Sequence, residues 1–243
     1  MSVVMSGLWS VAVVIPLIAI STIVCGAISV IASFFEKTGR AQIAMARFWA
    51  RSCLLLGRVR VSVDGLDKID RKASYVFAAN HLSYMDTPVV LSAIPVQFRF
   101  MAKKGLFEIP FLGTHLARAG HIPVPREDPR AAVKTLSRAA EIIRAHGISV
   151  LIFPEGGRSM DGVLQPFKEG AAYIAIKAQV PLVPVSITGT REIVPMGSAT
   201  VRGGAVRLRI GDPIPTEGLH IRERGALTEA ARNRIEEMLK CPV

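Results

Sequence analysis

The chain has 243 residues, half of them hydrophobic, which is enough for one main domain with an appendage and a sizeable core. Its formal charge of +11, thirty Lys and Arg against nineteen Asp and Glu, favours anionic partners: nucleic acid, phosphorylated ligands or acidic lipid head groups. Three cysteines, far apart and odd in number, exclude a disulfide framework and lack zinc-site spacing, while scattered charge with 6% aromatic residues argues against nucleic acid.

No charged side chain occurs from Met1 to Phe35, and the run Leu8 to Phe35 is almost entirely apolar. It exceeds the roughly 20 residues that a bilayer-spanning helix needs. Pro16 and Gly26 are candidate kink or turn points, so a tilted span and a re-entrant helical hairpin are both allowed. A cleaved signal peptide would carry a basic leader and a clear small-residue cleavage site, and neither is present. Lys37, Arg40, Arg47 and Arg51 follow the run, and positive-inside bias then places the remainder on the cytoplasmic side. The segment Ala41 to Leu56 mixes these arginines with apolar residues and fits either an interfacial helix or a domain-packing helix. Residues 1–57 are thus expected to form the membrane anchor and 58–243 a single catalytic-type domain.

Beyond residue 57, short β-rich runs alternate with helical ones. Strands are expected at Val59 to Val63, Tyr75 to Ala79, Phe98 to Ala102, Ile148 to Phe153, Leu182 to Ile187 and Val206 to Ile210, with helices at Ser83 to Leu91, Pro129 to Ala145, Glu169 to Ala178 and Leu227 to Leu239. This alternation implies an α/β domain with a largely buried sheet flanked by helices.

Two constellations carry chemistry. In Asn80-His81-Leu82-Ser83-Tyr84-Met85-Asp86, His81 and Asp86 meet only if the chain turns between them, and Ser83 with Asp86 fits a capping box that supplies the turn. The Asp would then hold the imidazole in one tautomer while the other nitrogen acts as a general base. An ordinary helix cap with a solvated histidine is the alternative. The second constellation follows a strand: Phe153-Pro154-Glu155-Gly156-Gly157-Arg158-Ser159. Its glycines let backbone amides approach an anion, and Arg158 offers a planar fork to phosphate oxygens, although a glycine turn with a surface ion pair has the same letters. Arg126, after Gly120 to Pro125, is a candidate second clamp, and Lys103-Lys104 closes the strand begun at Phe98. Val183-Pro184-Val185 reads as a sheet edge or bulge. His115, His121, His146 and His220 show no catalytic partner pattern.

The order and spacing of these blocks resemble the glycerolipid acyltransferase family, in particular bacterial 1-acyl-glycerol-3-phosphate acyltransferases, across roughly residues 36 to 215. The resemblance implies a mixed central sheet flanked by helices, with an N-terminal helical pair docked on one leaflet. It implies transfer of a fatty acyl group from acyl-CoA or acyl carrier protein to a lysophospholipid hydroxyl, with His81 as base and Asp86 as its partner. Lys103, Arg126 and Arg158 would hold the acceptor phosphate, and Glu155 and Gly156 would shape that pocket. No cofactor or metal is implied, because the thioester is already activated. Gly157 stands where threonine is more usual, and Gly105 and Pro125 also depart from the common pattern, which leaves the acceptor open. A related branch acylates lyso-ornithine lipid, and a non-catalytic protein binding anionic lipid would need no carboxylate behind His81.

Overall fold

A computed structural model describes residues 7–125, 127–198 and 200–240. Seven strands form one sheet in the order β1-β7-β6-β2-β5-β3-β4: β1 Val59–Asp64, β2 Val76–Ala79, β3 Phe98–Lys103, β4 Ile122–Val124, β5 Ser149–Ile152, β6 Leu182–Thr188 and β7 Gly204–Ile210. All neighbours are parallel except β6 and β7, so the sheet is mixed, as the resemblance implies. β2 lies at the centre, and Val76, Phe77, Ala78 and Ala79 are all fully buried. Successive side chains point to opposite faces, so Phe77 and Ala79 join one core layer while Val76 and Ala78 join the other. A strand buried on both faces reads as a continuous apolar run, which is what the sequence shows here.

Eight helices accompany the sheet among the described residues. The first layer is covered by α2 (Arg40–Leu56) and α3 (Asp86–Ala93), and the second by α5 (Pro129–His146), α6 (Gly170–Ala178) and α8 (Arg224–Lys240). Short helices α4 (Leu112–Arg118) and α7 (Thr190–Ile193) complete the set, and neither is marked by apolar periodicity in the sequence. Asp128 caps α5 by accepting from the Arg130 and Ala131 N–H groups at 2.9 and 3.0 Å, with Pro129 at its first turn.

The apolar N-terminus forms one continuous helix, α1, over Gly7–Phe35. It runs through Gly26, and Pro16 follows a π-helical turn at Ser10–Val14, the kind of local adjustment a missing N–H provokes. The turn point lies later. Glu36 accepts from the Thr38 N–H and from the Ala41 N–H at 3.0 Å, and its carboxyl is held down at about 2, first by the Thr38 side chain and then by the Ala41 amide. Gly39 has φ +78°, and a Cβ there would sit 2.4 Å from Arg99 Nη2, so only glycine closes this four-residue link. The outcome is a helical hairpin of α1 and α2, tied by the Trp49 Nε1–H donating to Thr22 Oγ1 at 2.9 Å.

Pro184 does not mark an edge. β6 is an interior strand, and Pro184 falls between the β6–β7 ladder, which begins at Val185↔Ile210, and an isolated Leu182↔Ile214 bridge. Three residue steps on β6 face four on the other side, so the extra residue makes a bulge where the missing N–H breaks no ladder bond.

Candidate active site

The carboxyl ends of parallel strands gather the two constellations. β2 leads into His81, its neighbour β5 into Glu155 to Arg158, the next strand β3 ends at Lys103, and the outermost, β4, ends two residues before Arg126. Adjacent parallel strands therefore deliver His81, the Glu155 to Arg158 segment and Lys103 to one rim of the sheet, the place where open α/β sheets bind ligands. Arg126 itself lies outside the described residues.

His81 Nδ1 lies 2.7 Å from Asp86 Oδ2. The turn that brings them together resembles half of the expected capping box. Asp86 Oδ2 accepts from the Leu82 and Ser83 N–H groups at 2.7 and 2.9 Å, but the Ser83 hydroxyl donates to the Val194 carbonyl at 2.9 Å, and α3 begins at Asp86 rather than at Ser83. Asp86 is fully buried, and its Oδ1 has no partner among the described residues. With Nδ1–H given to the carboxylate, Nε2 is left as the proton acceptor. The ring is held flat as well: it stacks on Phe153 at 4.0 Å between centroids and 15° between planes.

The backbone of His81 is fixed from both sides. Its N–H donates to Glu155 Oε1 at 2.6 Å, and its carbonyl accepts from the Ser159 N–H at 2.8 Å. The other carboxylate oxygen of Glu155 accepts from the Gln165 N–H at 2.9 Å. Both Glu155 oxygens are thus engaged by main chain, and burial pushes its carboxyl above the ordinary value against those hydrogen bonds. One residue earlier, the buried Asn80 pairs its amide with both main-chain groups of Ile187, at 2.9 and 2.7 Å, locking the end of β2 to β6.

Gly156 has φ +76°, and a Cβ there would lie 2.9 Å from Lys168 Nζ, so glycine is required and Lys168 stands against the loop. A cavity of about 420 Å3 opens beside it, lined by Glu155, Gly157, Arg158 and Gln165 among others. The Arg158 guanidinium lies over the Tyr84 ring, 3.7 Å from its centroid. Lys103 is exposed at the end of β3. Neither Lys168 nor Tyr84 was marked by the sequence blocks, since each gains meaning only from what the fold places beside it.

A second cavity, about 380 Å3 and mainly apolar, lies between the helical hairpin and the sheet. Thr22, Cys25, Trp49, Leu91 and Phe100 line it, and it reaches Thr87, the residue next to Asp86. His115 and His121 border it in structural roles. His115 Nδ1 bonds the Ser29 hydroxyl of α1 at 2.8 Å, and His121 Nδ1 accepts from the Phe100 N–H at 3.0 Å. Burial pushes both imidazoles down, His121 to about 3.

The comparisons with known proteins agree with this geometry. A family model described as Acyltransferase matches residues 60–188, more than half of the chain, from β1 to the end of β6. The chain is 36% identical over 197 residues to a chloroplastic 1-acyl-sn-glycerol-3-phosphate acyltransferase of Brassica napus, covering 80% of this chain and 55% of that one. A second chloroplastic 1-acyl-sn-glycerol-3-phosphate acyltransferase, from Arabidopsis thaliana, is 37% identical, and the chain covers 53% of it. The chain thus spans about half the length of these plant relatives. The 1-acyl-sn-glycerol-3-phosphate acyltransferase of Saccharomyces cerevisiae is 32% identical over 89% of this chain and 73% of its own. The crystal structure of a 1-acyl-sn-glycerophosphate acyltransferase from Thermotoga maritima matches 98% of both chains, with a TM-score of 0.81 and 26% identity. On the family match, the extent of these likenesses and the shared fold, the chain belongs to the acyltransferase family.

Proposed function

We propose that the protein transfers a fatty acyl group from an acyl thioester to the free sn-2 hydroxyl of 1-acyl-glycerol-3-phosphate, giving phosphatidic acid. The observation that carries this reading is the 2.7 Å contact of His81 Nδ1 with a buried Asp86, set on the same sheet rim as the Arg158 loop. His81 Nε2 takes the hydroxyl proton as the oxygen attacks the thioester carbonyl. The C–O bond forms, the C–S bond breaks, and the imidazolium returns its proton to the thiolate leaving group. Asp86 stabilises the imidazolium between these steps. No acyl-enzyme is formed, so both substrates are bound together.

Arg158 and Lys103, with Arg126, hold the acceptor phosphate, and Gly156 admits it close to the backbone. This fixes the hydroxyl near the thioester carbonyl, where correct placement alone lowers the barrier by several kcal/mol, on the order of 7 to 11 for a well-oriented pair. Glu155 acts one step back, through the main chain of His81 and Gln165. The apolar cavity beside Thr87 receives acyl chain, each buried methylene contributing about 0.8 kcal/mol. Either coenzyme A or acyl carrier protein can bear that chain, and no cofactor takes part.

The helical hairpin docks the protein on one leaflet rather than spanning it. α1 has 29 residues, about 44 Å of helix, yet both its ends are tied to the domain: Ser10 Oγ accepts from the Val201 N–H at 2.6 Å, and Arg118 donates to Ser33 Oγ at 3.0 Å while covering the Phe34 ring. A spanning helix could reach the domain with one end only. Ser10, Cys25, Ser29 and Ser33 face inward, whereas Ile20, Ile31, Phe34 and Phe35 are exposed along the outer stripe. Phe48, Leu55 and Phe111 extend that apolar surface, with Lys37, Arg40 and Arg51 exposed for acidic head groups. Arg47 is not among them. Its guanidinium donates to the Ile94 and Val96 carbonyls at 2.8 and 2.7 Å and holds α2 on the end of α3. The leaflet is the cytoplasmic one on the positive-inside argument, and the resemblance to bacterial 1-acyl-glycerol-3-phosphate acyltransferases makes the membrane a bacterial inner one.

The test is thiol release from acyl-CoA by the detergent-purified protein, with lysophosphatidic acid or lyso-ornithine lipid as acceptor and His81→Ala in parallel. Release that needs lysophosphatidic acid and vanishes in the variant is expected. Release with the ornithine lipid alone would replace the acceptor, and none with either, acyl carrier protein also tried as donor, would refute the enzyme reading.

A further inference from the structure

Tyr84 sits in the turn between the base and its carboxylate, and packing does not explain it, because 69% of its surface is exposed. Its ring nevertheless carries the Arg158 guanidinium at 3.7 Å. Arg158 makes no ion pair with a carboxylate among the described residues. The loop's main chain is tied to His81 through the Ser159 N–H, yet the Arg158 side chain makes no hydrogen bond among the described residues, and a Cβ at Gly157 would meet nothing within 4 Å. The Tyr84 turn, by contrast, is anchored. Leu82 and Ser83 N–H groups donate to Asp86, the Asp86 N–H donates to the Ser83 carbonyl at 3.3 Å, and the Ser83 hydroxyl holds Val194. A guanidinium held over an aromatic face by a cation–π contact spends no N–H group on that contact and keeps its donors for phosphate oxygens.

We propose that Tyr84 is a positioning residue, an aromatic platform that holds the Arg158 guanidinium at a fixed spacing from His81 and so sets the phosphate-to-hydroxyl distance the acceptor must have. The inference rests on the phosphate-binding role given to Arg158 above. The platform needs the ring and not its hydroxyl, since the Tyr84 hydroxyl makes no hydrogen bond among the described residues. Loss of the ring lets the guanidinium swing on its long side chain, so binding weakens before the chemical step does, and discrimination between acceptors of different span declines.

The experiment compares the parent with Tyr84→Phe, Tyr84→Leu and Arg158→Ala, using 1-acyl-glycerol-3-phosphate and its homologue with one more methylene between phosphate and hydroxyl-bearing carbon. Tyr84→Leu is expected to raise the acceptor KM about two- to fivefold, the range for an exposed cation–aromatic contact, with kcat changed less than twofold. It should also narrow the parent's preference for the shorter acceptor about twofold or more, while Tyr84→Phe keeps both parent values. Tyr84→Gln, equally without a ring, serves if the leucine variant melts early. A KM and preference unchanged in Tyr84→Leu, or a phenylalanine variant as impaired as the leucine one, would overturn the platform. If Arg158→Ala leaves the acceptor KM unchanged, the phosphate assignment fails first and the platform with it; an effect of Arg158→Ala without one of Tyr84→Leu removes the platform alone.

Discussion

Asp86→Asn separates the two jobs proposed for the buried carboxylate, holding the turn and stabilising the imidazolium. Asp86 Oδ2 accepts three N–H groups, from Leu82, Ser83 and the His81 ring, whereas Oδ1 has no partner among the described residues. An amide with its oxygen in the Oδ2 place and its nitrogen in the Oδ1 place preserves all three bonds. It adds a buried donor without an acceptor, at about 1 to 3 kcal/mol, so the variant should fold with a modest loss of stability. What it cannot supply is charge. An opposite charge at contact distance is worth about 4 kcal/mol in an effective dielectric of about 20. At about 1.4 kcal/mol per tenfold, kcat should fall on the order of 1,000-fold, with the acceptor KM nearly unchanged. Thiol release over a range of acceptor concentrations reads both constants, and thermal melting reads the fold. A kcat within tenfold of the parent would show that Asp86 works by geometry alone, and a change confined to KM would place it in substrate binding instead.

Glu155→Gln distinguishes a carboxylate that touches substrate from one that holds the base's main chain: an amide can accept only one of the two N–H groups now bound at 2.6 and 2.9 Å. It should cost about 2 kcal/mol of stability and lower kcat at least tenfold with acceptor KM unchanged, and a rise in KM alone would return Glu155 to the phosphate pocket. His121 makes stability pH-dependent. Burial, then His115 and Arg99 nearby, hold it at about 3, below the roughly 6.5 of an unfolded chain, so in that window the unfolded state binds more protons and stability falls as pH falls. The loss is about 1.4 kcal/mol per pH unit, roughly 2 kcal/mol from pH 6.5 to 5. His121→Asn, whose side-chain oxygen can still accept the Phe100 N–H, should flatten the decline in melting temperature between pH 7 and 5, and an identical decline in both proteins would refute the assignment.

The readable parts of this fold are those that local chemistry decides. The strands β2, β5 and β6 announce themselves as short apolar runs because they are buried on both faces, and the His81–Asp86 pair is readable because its turn is made by residues inside the same seven-residue stretch. β4 escapes for the converse reason. It is three residues long with Pro123 in the middle and Pro125 after it, pairs with β3 alone, and in sequence has the letters of a proline-bounded turn. Pro184 is ambiguous from sequence because edge and bulge remove the same N–H, and only the register on the β7 side tells them apart. The hairpin of α1 and α2 turns at Glu36 and Gly39, not at Pro16 or Gly26, and part of what selects Gly39 is the closeness of Arg99, sixty residues later in the chain.

The site shows the same division between near and far. Glu155 carries a charge beside two glycines, which in one dimension reads as part of an anion pocket. In the fold one of its oxygens is bonded by the main chain of His81, 74 residues earlier, and the other by the Gln165 N–H. His81, the proposed base, is consequently held by four separate groups: the Asp86 turn, the Phe153 ring at the end of β5, the Glu155 carboxylate and the Ser159 amide. Three of these come from the glycine-rich segment that also carries Arg158. The main chains that carry His81 and Arg158 are therefore tied together, and with the Arg158 side chain over Tyr84 the proposed reaction, which needs a hydroxyl held at one distance from a phosphate, would gain its placement from that frame.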